Sequence, residues 1–160
     1  MAKIDFKGID EYAKALGILW KDSENIVKKA VYEGADIVAN EIKQGLRSLP
    51  VDERVGTEEN PIEGVGRIQK EDLIEGFGLS PMENKDGYIN TKAGFNGYGS
   101  IKTKKYPKGQ PLAMLMRSVE SGTSFRKKTP VIRKAVTRAR KVAEAKMAET
   151  VEEEIKKIMK

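Results

Sequence analysis

The chain has no cysteine and no histidine in its 160 residues. Without thiols there is no disulfide, no thiolate nucleophile and no cysteine-based zinc site, and without imidazole the commonest general base and metal ligand are missing. Long apolar runs are missing too. MAKIDFKGIDEYAKALGILW carries charges at Lys3, Asp5, Lys7, Asp10, Glu11 and Lys14, so it reads neither as a signal peptide nor as a membrane span, and no membrane partner is expected. What remains for catalysis is carboxylate chemistry, which requires acidic side chains to converge in a pocket. Here the acids are scattered through helix faces and loops. The expectation is a protein with no enzymatic activity, no cofactor and no metal.

Hydrophobic residues make up 39% of the chain and charged residues 34%. A chain of this length fits one domain, residues 1–160, that buries roughly 70% of its unfolded surface. The net charge of +6 conceals an asymmetry. Residues 1–80 hold 11 Lys and Arg against 16 Asp and Glu, a net of −5, and residues 81–160 hold 19 against 8, a net of +11. If the halves separate in space, the basic face of one copy would meet the acidic face of the next, a geometry that closes into rings. If they interleave, the asymmetry averages out.

A short strand-like piece at Ile4–Phe6 is followed by Ile9, Tyr12, Ala13, Leu16 and Leu19 at helical spacing, which predicts a short first helix. Asp22 or Ser23 then serves as N-cap for a long amphipathic helix bearing Val27, Val31, Ala35, Val38, Ile42, Leu46 and Leu49, ended by Pro50. Residues 50–70 hold two Pro, three Gly and five acidic residues without periodicity, the composition of a long mobile loop. DLIEGFGLSPM and GYINTKAGFNGYG read as two strands joined through Asp86-Gly87, a strong hairpin signal. The glycines of GFNGYGS lack the following Lys-Ser/Thr helix start of a phosphate-binding loop, so they mark a strand end. A second mobile loop is expected at 98–110, with Lys102, Lys104 and Lys105 around Tyr106. PLAMLMRSVESG offers Leu112, Leu115, Met116 and Val119 on one helical face, opened by Pro111. Thr129 as cap and Pro130 as opener begin a last helix of about thirty residues, roughly 45 Å, whose end is expected to project.

Between Ser121 and Ala143 lie eight basic residues and no acid: Arg126, Lys127, Lys128, Arg133, Lys134, Arg138, Arg140 and Lys141. They sit at the start of the last helix, where its dipole disfavours cations unless an anionic partner faces them. With Lys102, Lys104 and Lys105 they form the candidate partner-binding set. Phosphates of DNA would suit such a patch, although no helix-turn-helix or zinc-finger pattern accompanies it. A solvated helix face is the plainer reading. The adjoining Glu120, Gly122, Thr123, Thr129 and Pro130 read as a structural turn: Gly122 supplies a positive φ to leave one helix, and Thr129-Pro130 restarts the chain as another. Glu120 would bond the amides of that turn or pair with a basic residue of a neighbouring copy.

Val119-Glu120-Ser121-Gly122-Thr123 followed by Thr129-Pro130-Val131-Ile132-Arg133-Lys134-Ala135, after a long helix and a glycine-rich hairpin, resembles the minor tail-component family of long-tailed bacteriophages and prophages. The hairpin element Asp72-Leu73-Ile74 adds weaker support, and the resemblance covers roughly residues 20–150. It implies a structural protein at the head–tail junction, of the tail-completion or tail-terminator type. It also implies assembly as a ring, most plausibly of six, docking on other tail or connector proteins. Such a protein would be found in the virion, at the tail or neck, and in the bacterial cytoplasm during assembly. The fold expected is α+β, two long helices packed on a small, mainly antiparallel sheet with long loops. The alternative is a basic nucleic-acid-binding protein using residues 126–141.

Overall fold

A computed structural model describes residues 7–160, with side-chain surroundings from Glu11 onward; the strand-like piece at Ile4–Phe6 lies outside the described residues. Four helices and four short strands follow in the order α1 (Lys7–Arg47), α2 (Arg67–Gly76), β1 (Phe77–Leu79), β2 (Glu83–Lys85), β3 (Tyr88–Asn90), β4 (Ala93–Phe95), α3 (Leu112–Ser121) and α4 (Val131–Met159). The chain is an α+β protein.

The two helices expected before Pro50 are one. α1 runs unbroken for 41 residues, about 60 Å at 1.5 Å per residue. Ser23 does not cap a new helix: its hydroxyl donates to the carbonyl of Trp20 at 2.9 Å, a bond back into the preceding turn that leaves the helix intact. Asp22 and Ser23 have mid-helix neighbours on both sides and no Pro or Gly at which to stop.

α4 lies antiparallel along α1. Val131 meets Gly45, Arg138 bonds Glu41 at 2.9 Å, Met147 covers Gly34, Thr150 bonds Glu33 and Glu154 accepts from Lys29 at 2.6 Å. Both glycines permit close approach of the helices. A Cβ on Gly34 would stand 2.6 Å from the Met147 side chain, and one on Gly45 would stand 2.5 Å from Val131 Cγ1. The end of α4 does not project alone, since Ile158 shares a cleft wall with Asn25 and Ile26. It is the start of α1 that runs on past its partner.

This pairing also settles the charge asymmetry. The acidic first half and the basic second half interleave, and Arg138 with Glu41, Lys146 with Glu33 and Lys29 with Glu154 join them across the helix pair.

The core gathers at the C-terminal end of α1. Ile42, Leu46 and Leu49 meet Leu73 of α2, Phe77 of β1, Leu112, Leu115, Met116 and Val119 of α3, and Val131 and Ala135 of α4. Asp72-Leu73-Ile74 is therefore helix rather than hairpin. Leu73 and Phe77, one turn apart, both point into this core, and the strand begins only at Phe77.

The strands form one hairpin in two short antiparallel ladders. β1 pairs with β4 through Phe77 and Phe95, and β2 pairs with β3 around Asp86 and Gly87, both at positive φ. Between the ladders Pro81 has no N–H to give. Ser80 and the Thr91–Lys92 step bond each other there instead, with Ser80 N to the Lys92 carbonyl at 2.7 Å and Thr91 Oγ1 to the Ser80 carbonyl at 2.7 Å. The rings of Phe77 and Phe95 lie 5.3 Å apart.

Candidate functional site

The corner between α3 and α4 is built by backbone bonds and one carboxylate. Gly122, with φ of 75°, follows α3 and donates its N–H to the Ser118 carbonyl at 2.9 Å. Thr123 and Arg126 then bond each other in a tight loop, N–H to carbonyl, at 2.9 and 3.3 Å. Thr129 does not cap the next helix through its side chain; its N–H donates to the Val119 carbonyl at 2.8 Å. Pro130 stands just before the first helical residue, Val131. The cap comes from α3, where the Glu120 carboxylate accepts the N–H groups of Ile132 at 3.0 Å and Arg133 at 2.8 Å. A negative charge on the free amides at a helix start satisfies donors that have no partner inside the helix and opposes the positive end of its dipole. Glu120 thus bonds within its own chain.

The same device recurs at α2, where the Glu53 carboxylate accepts the Arg67 N–H at 2.7 Å. Glu53 belongs to the segment 50–70, expected as a long mobile loop. Residues 67–70 of that stretch are already the first turn of α2. The rest folds back on the core: Val65 is buried and bridges Val51, and Ile62 is buried and bridges Arg126. The Arg54 guanidinium holds the Asp52 carboxyl well below the usual carboxylate range, with bonds of 2.9 and 2.6 Å.

The eight basic residues of the 126–141 segment have separate fates. Arg126 turns inward, half-buried, and donates to the Gly64 carbonyl; burial pulls its pKa below the ordinary guanidinium value. Its work is to pin the loop to the corner. Arg138 is committed to Glu41 and Arg140 to Glu144, at 2.9 and 3.1 Å. Lys127, Lys128, Arg133, Lys134 and Lys141 stay exposed, with no ion pair among the described residues.

Lys102, Lys104 and Lys105 are exposed on the 98–110 loop, with Lys105 Nζ 5.5 Å above the Tyr106 ring. That loop is fastened to α2 by the Asp72 carboxylate, which accepts from Ser100 N at 2.7 Å and Ser100 Oγ at 2.6 Å. Ile101 of this loop and Arg126 of the corner share a cleft of about 530 Å³ with Asp52, Glu53 and Arg54. Its acids are already engaged by Arg54 and the α2 amides. Among the described residues no three acidic side chains converge on a point suited to a metal ion.

A second surface is one the sequence did not single out, because Tyr12 and Leu16 fit the apolar spacing of a packed helix and Ile18 and Trp20 fall outside it. Tyr12, Leu16, Ile18 and Trp20 are exposed on the start of α1, and an apolar cleft of about 410 Å³ opens between α1, α4 and β3. The available signal was Trp20, the single tryptophan, which falls outside the Tyr12–Leu16–Leu19 spacing.

Among the described residues no helix is long and apolar enough to cross a membrane. Compared with known proteins, the chain matches no protein-family model, no curated protein and no solved structure.

Proposed function

We propose that this chain is a structural component of a tailed bacteriophage or prophage. It acts in morphogenesis at the head–tail junction, as a tail-completion or tail-terminator type of protein, and assembles as a ring. The observation that carries this reading is the α3–α4 corner. The residues that resemble the minor tail-component family, Val119 to Thr123 and Thr129 to Ala135, form one folded unit in which Glu120 holds the start of α4. Residues engaged in this way serve to orient two helices, the work of a scaffold. The long α1–α4 pair, extended well beyond the core, also fits a subunit that reaches toward neighbours.

Deletion of the gene from its phage tests the reading. Separate filled heads and tails in electron micrographs, with infectivity restored by the wild-type chain supplied in trans, are the expected result. Joined, infectious particles without the protein would reject it.

One observation favours the alternative of phosphate binding: Lys127, Lys128, Arg133, Lys134 and Lys141 remain exposed and unpaired at the start of α4. Reversal of Arg133, Lys134 and Lys141 to Glu, three groups with no structural partner, would abolish a steeply salt-dependent binding of unrelated DNA. Equal binding by the variant and the wild type, or no binding by either, would remove the alternative.

A further inference from the structure

From Ile26 to Gly45, α1 is covered by α4, but between Glu11 and Asn25 none of its residues is buried. This uncovered stretch is not polar. Tyr12, Leu16 and Trp20, spaced four apart, form a single ridge on the helix surface, 57%, 43% and 83% exposed. Three large apolar side chains on one face within nine residues make a patch of the kind that marks an interaction site.

The apolar cleft of about 410 Å³ lies further along the same helix, lined by Val31, Ala35, Val38, Ile89, Val136 and Met147. It continues the α1–α4 interface directly, since Met147 also covers Gly34 within that interface. One copy cannot fill its own cleft with its own ridge. Leu16 and Ala35 are nineteen residues apart on one unbroken helix, roughly 28 Å.

We propose that the Tyr12–Leu16–Trp20 ridge of one copy docks in the α1–α4–β3 cleft of a second copy. Three anchors on one face of a helix and an apolar groove are the two halves of a common mode of recognition. The charges agree with a protein occupant. Along residues 11–25 the charged side chains Glu11, Lys14, Lys21, Asp22 and Glu24 are of mixed sign, with both lysines on the side of the helix away from the ridge, and the cleft carries Arg140 and Glu144, already paired with each other. A helix built for an anionic membrane surface would instead be rich in Lys and Arg. Because ridge and cleft are different surfaces, the contact is head-to-tail and can repeat into a ring or a filament. Pairing of ridge with ridge would leave the cleft empty. The inference supplies a contact for the ring assembly proposed above, and its test is independent of any phage.

Trp20 is the only tryptophan, so its emission reports on the ridge. The wild-type mass from light scattering should rise with concentration, and Trp20 emission should shift to the blue over the same range. Leu16→Glu on the ridge and Val136→Glu in the cleft, both at exposed positions, should each weaken self-association at least about tenfold while circular dichroism shows unchanged helix content. Mixed in equal amounts, the two variants should form a dimer and nothing larger, because each pair retains one intact ridge and one intact cleft.

Several outcomes would overturn the proposal. Loss of association in Leu16→Glu but not in Val136→Glu would mean ridge-to-ridge pairing. A wild-type chain that remains monomeric with water-exposed Trp20 at all concentrations would show that copies do not dock. A blue shift only with anionic phospholipid vesicles would assign the ridge to a membrane surface. A strict monomer would remove this contact while leaving the junction reading to the deletion experiment.

Discussion

Two regions of the α1–α4 pair are held together by different means. Near Gly45 and Val131 the pair is enclosed by α2, α3 and β1, and Ile42, Leu46, Leu73 and Val119 are fully buried. Toward Lys29 and Glu154 only the two helices and the hairpin tip remain. The buried residues there are Ile26, Ala30, Ala143 and Thr150, and the cross-contacts are ion pairs and a hydroxyl bond. Apolar burial is worth roughly 25 cal/mol per Å², whereas exposed ion pairs contribute about 0–1 kcal/mol and weaken with salt. The enclosed end therefore carries most of the stability, and the far end is the more exposed part of the pair.

The contrast can be broken most sharply in the core. Leu46→Ala leaves a cavity that neighbours on four elements cannot collapse to fill, and should cost about 3 kcal/mol in urea unfolding. Ile26→Ala, at the edge, should cost clearly less; equal losses would mean that the two ends are equally well packed.

The helix crossing offers the next test. In Gly45→Ala the new methyl meets Val131, a β-branched side chain in the crowded first turn of α4, so the loss should be about 1–3 kcal/mol. Gly34→Ala clashes with the flexible side chain of Met147, which can rotate away, and meets the Ala143 carbonyl at an ordinary contact distance of 3.5 Å, so the gain in helix propensity of roughly 1 kcal/mol offsets much of the strain. The thermal midpoint should fall for the first and change little for the second. The reverse order would contradict the packing described.

Removal of the Glu120 carboxylate should cost about 1 kcal/mol, the usual value of a helix cap. Glu120→Ala should also speed hydrogen exchange at Ile132 and Arg133 relative to the rest of α4. Unchanged exchange there would mean that the carboxylate does not hold those amides.

The smallest effect is expected from acid. Lys157 and Lys29 lower the Glu154 carboxyl from its ordinary 4.5 to about 2. A depressed carboxylate stabilises the folded state above its unfolded pKa, and that contribution fades as pH falls from about 4.5 through 2. Amides of the last turns of α4 should therefore exchange faster at pH 2.5 than at pH 5, after correction for the intrinsic rates, and Glu154→Gln should remove the difference. A pH effect that persists in Glu154→Gln would assign it to other carboxylates.

Much of the fold could be read from the chain. Apolar residues every three or four positions marked the helices around Val31–Leu49 and Ile132–Ile158, Asp86-Gly87 marked the hairpin turn, and Pro111 and Gly122 bracketed α3. Misreadings arose where local signals were ambiguous. Ser23 is a good cap by type, yet its hydroxyl is satisfied within a continuous helix. Leu73 and Ile74 suit either period, and burial beside α1 and α3 decided for helix. Of the basic residues, Arg126 resembles its neighbours in sequence but not in place, because its partner, the Gly64 carbonyl, lies 62 residues away.

The sequence alone determined the periodic elements and the turns between them, since propensity, capping and glycine φ act over a few residues. It also determined the absence of thiol and imidazole chemistry. Only the tertiary structure decided that Glu53 and Glu120 would cap helices from a distance, that the acidic and basic halves would interleave, and that the start of α1 would be left uncovered. Each of these depends on which surfaces meet across the chain, and partners so far apart leave no periodicity to read.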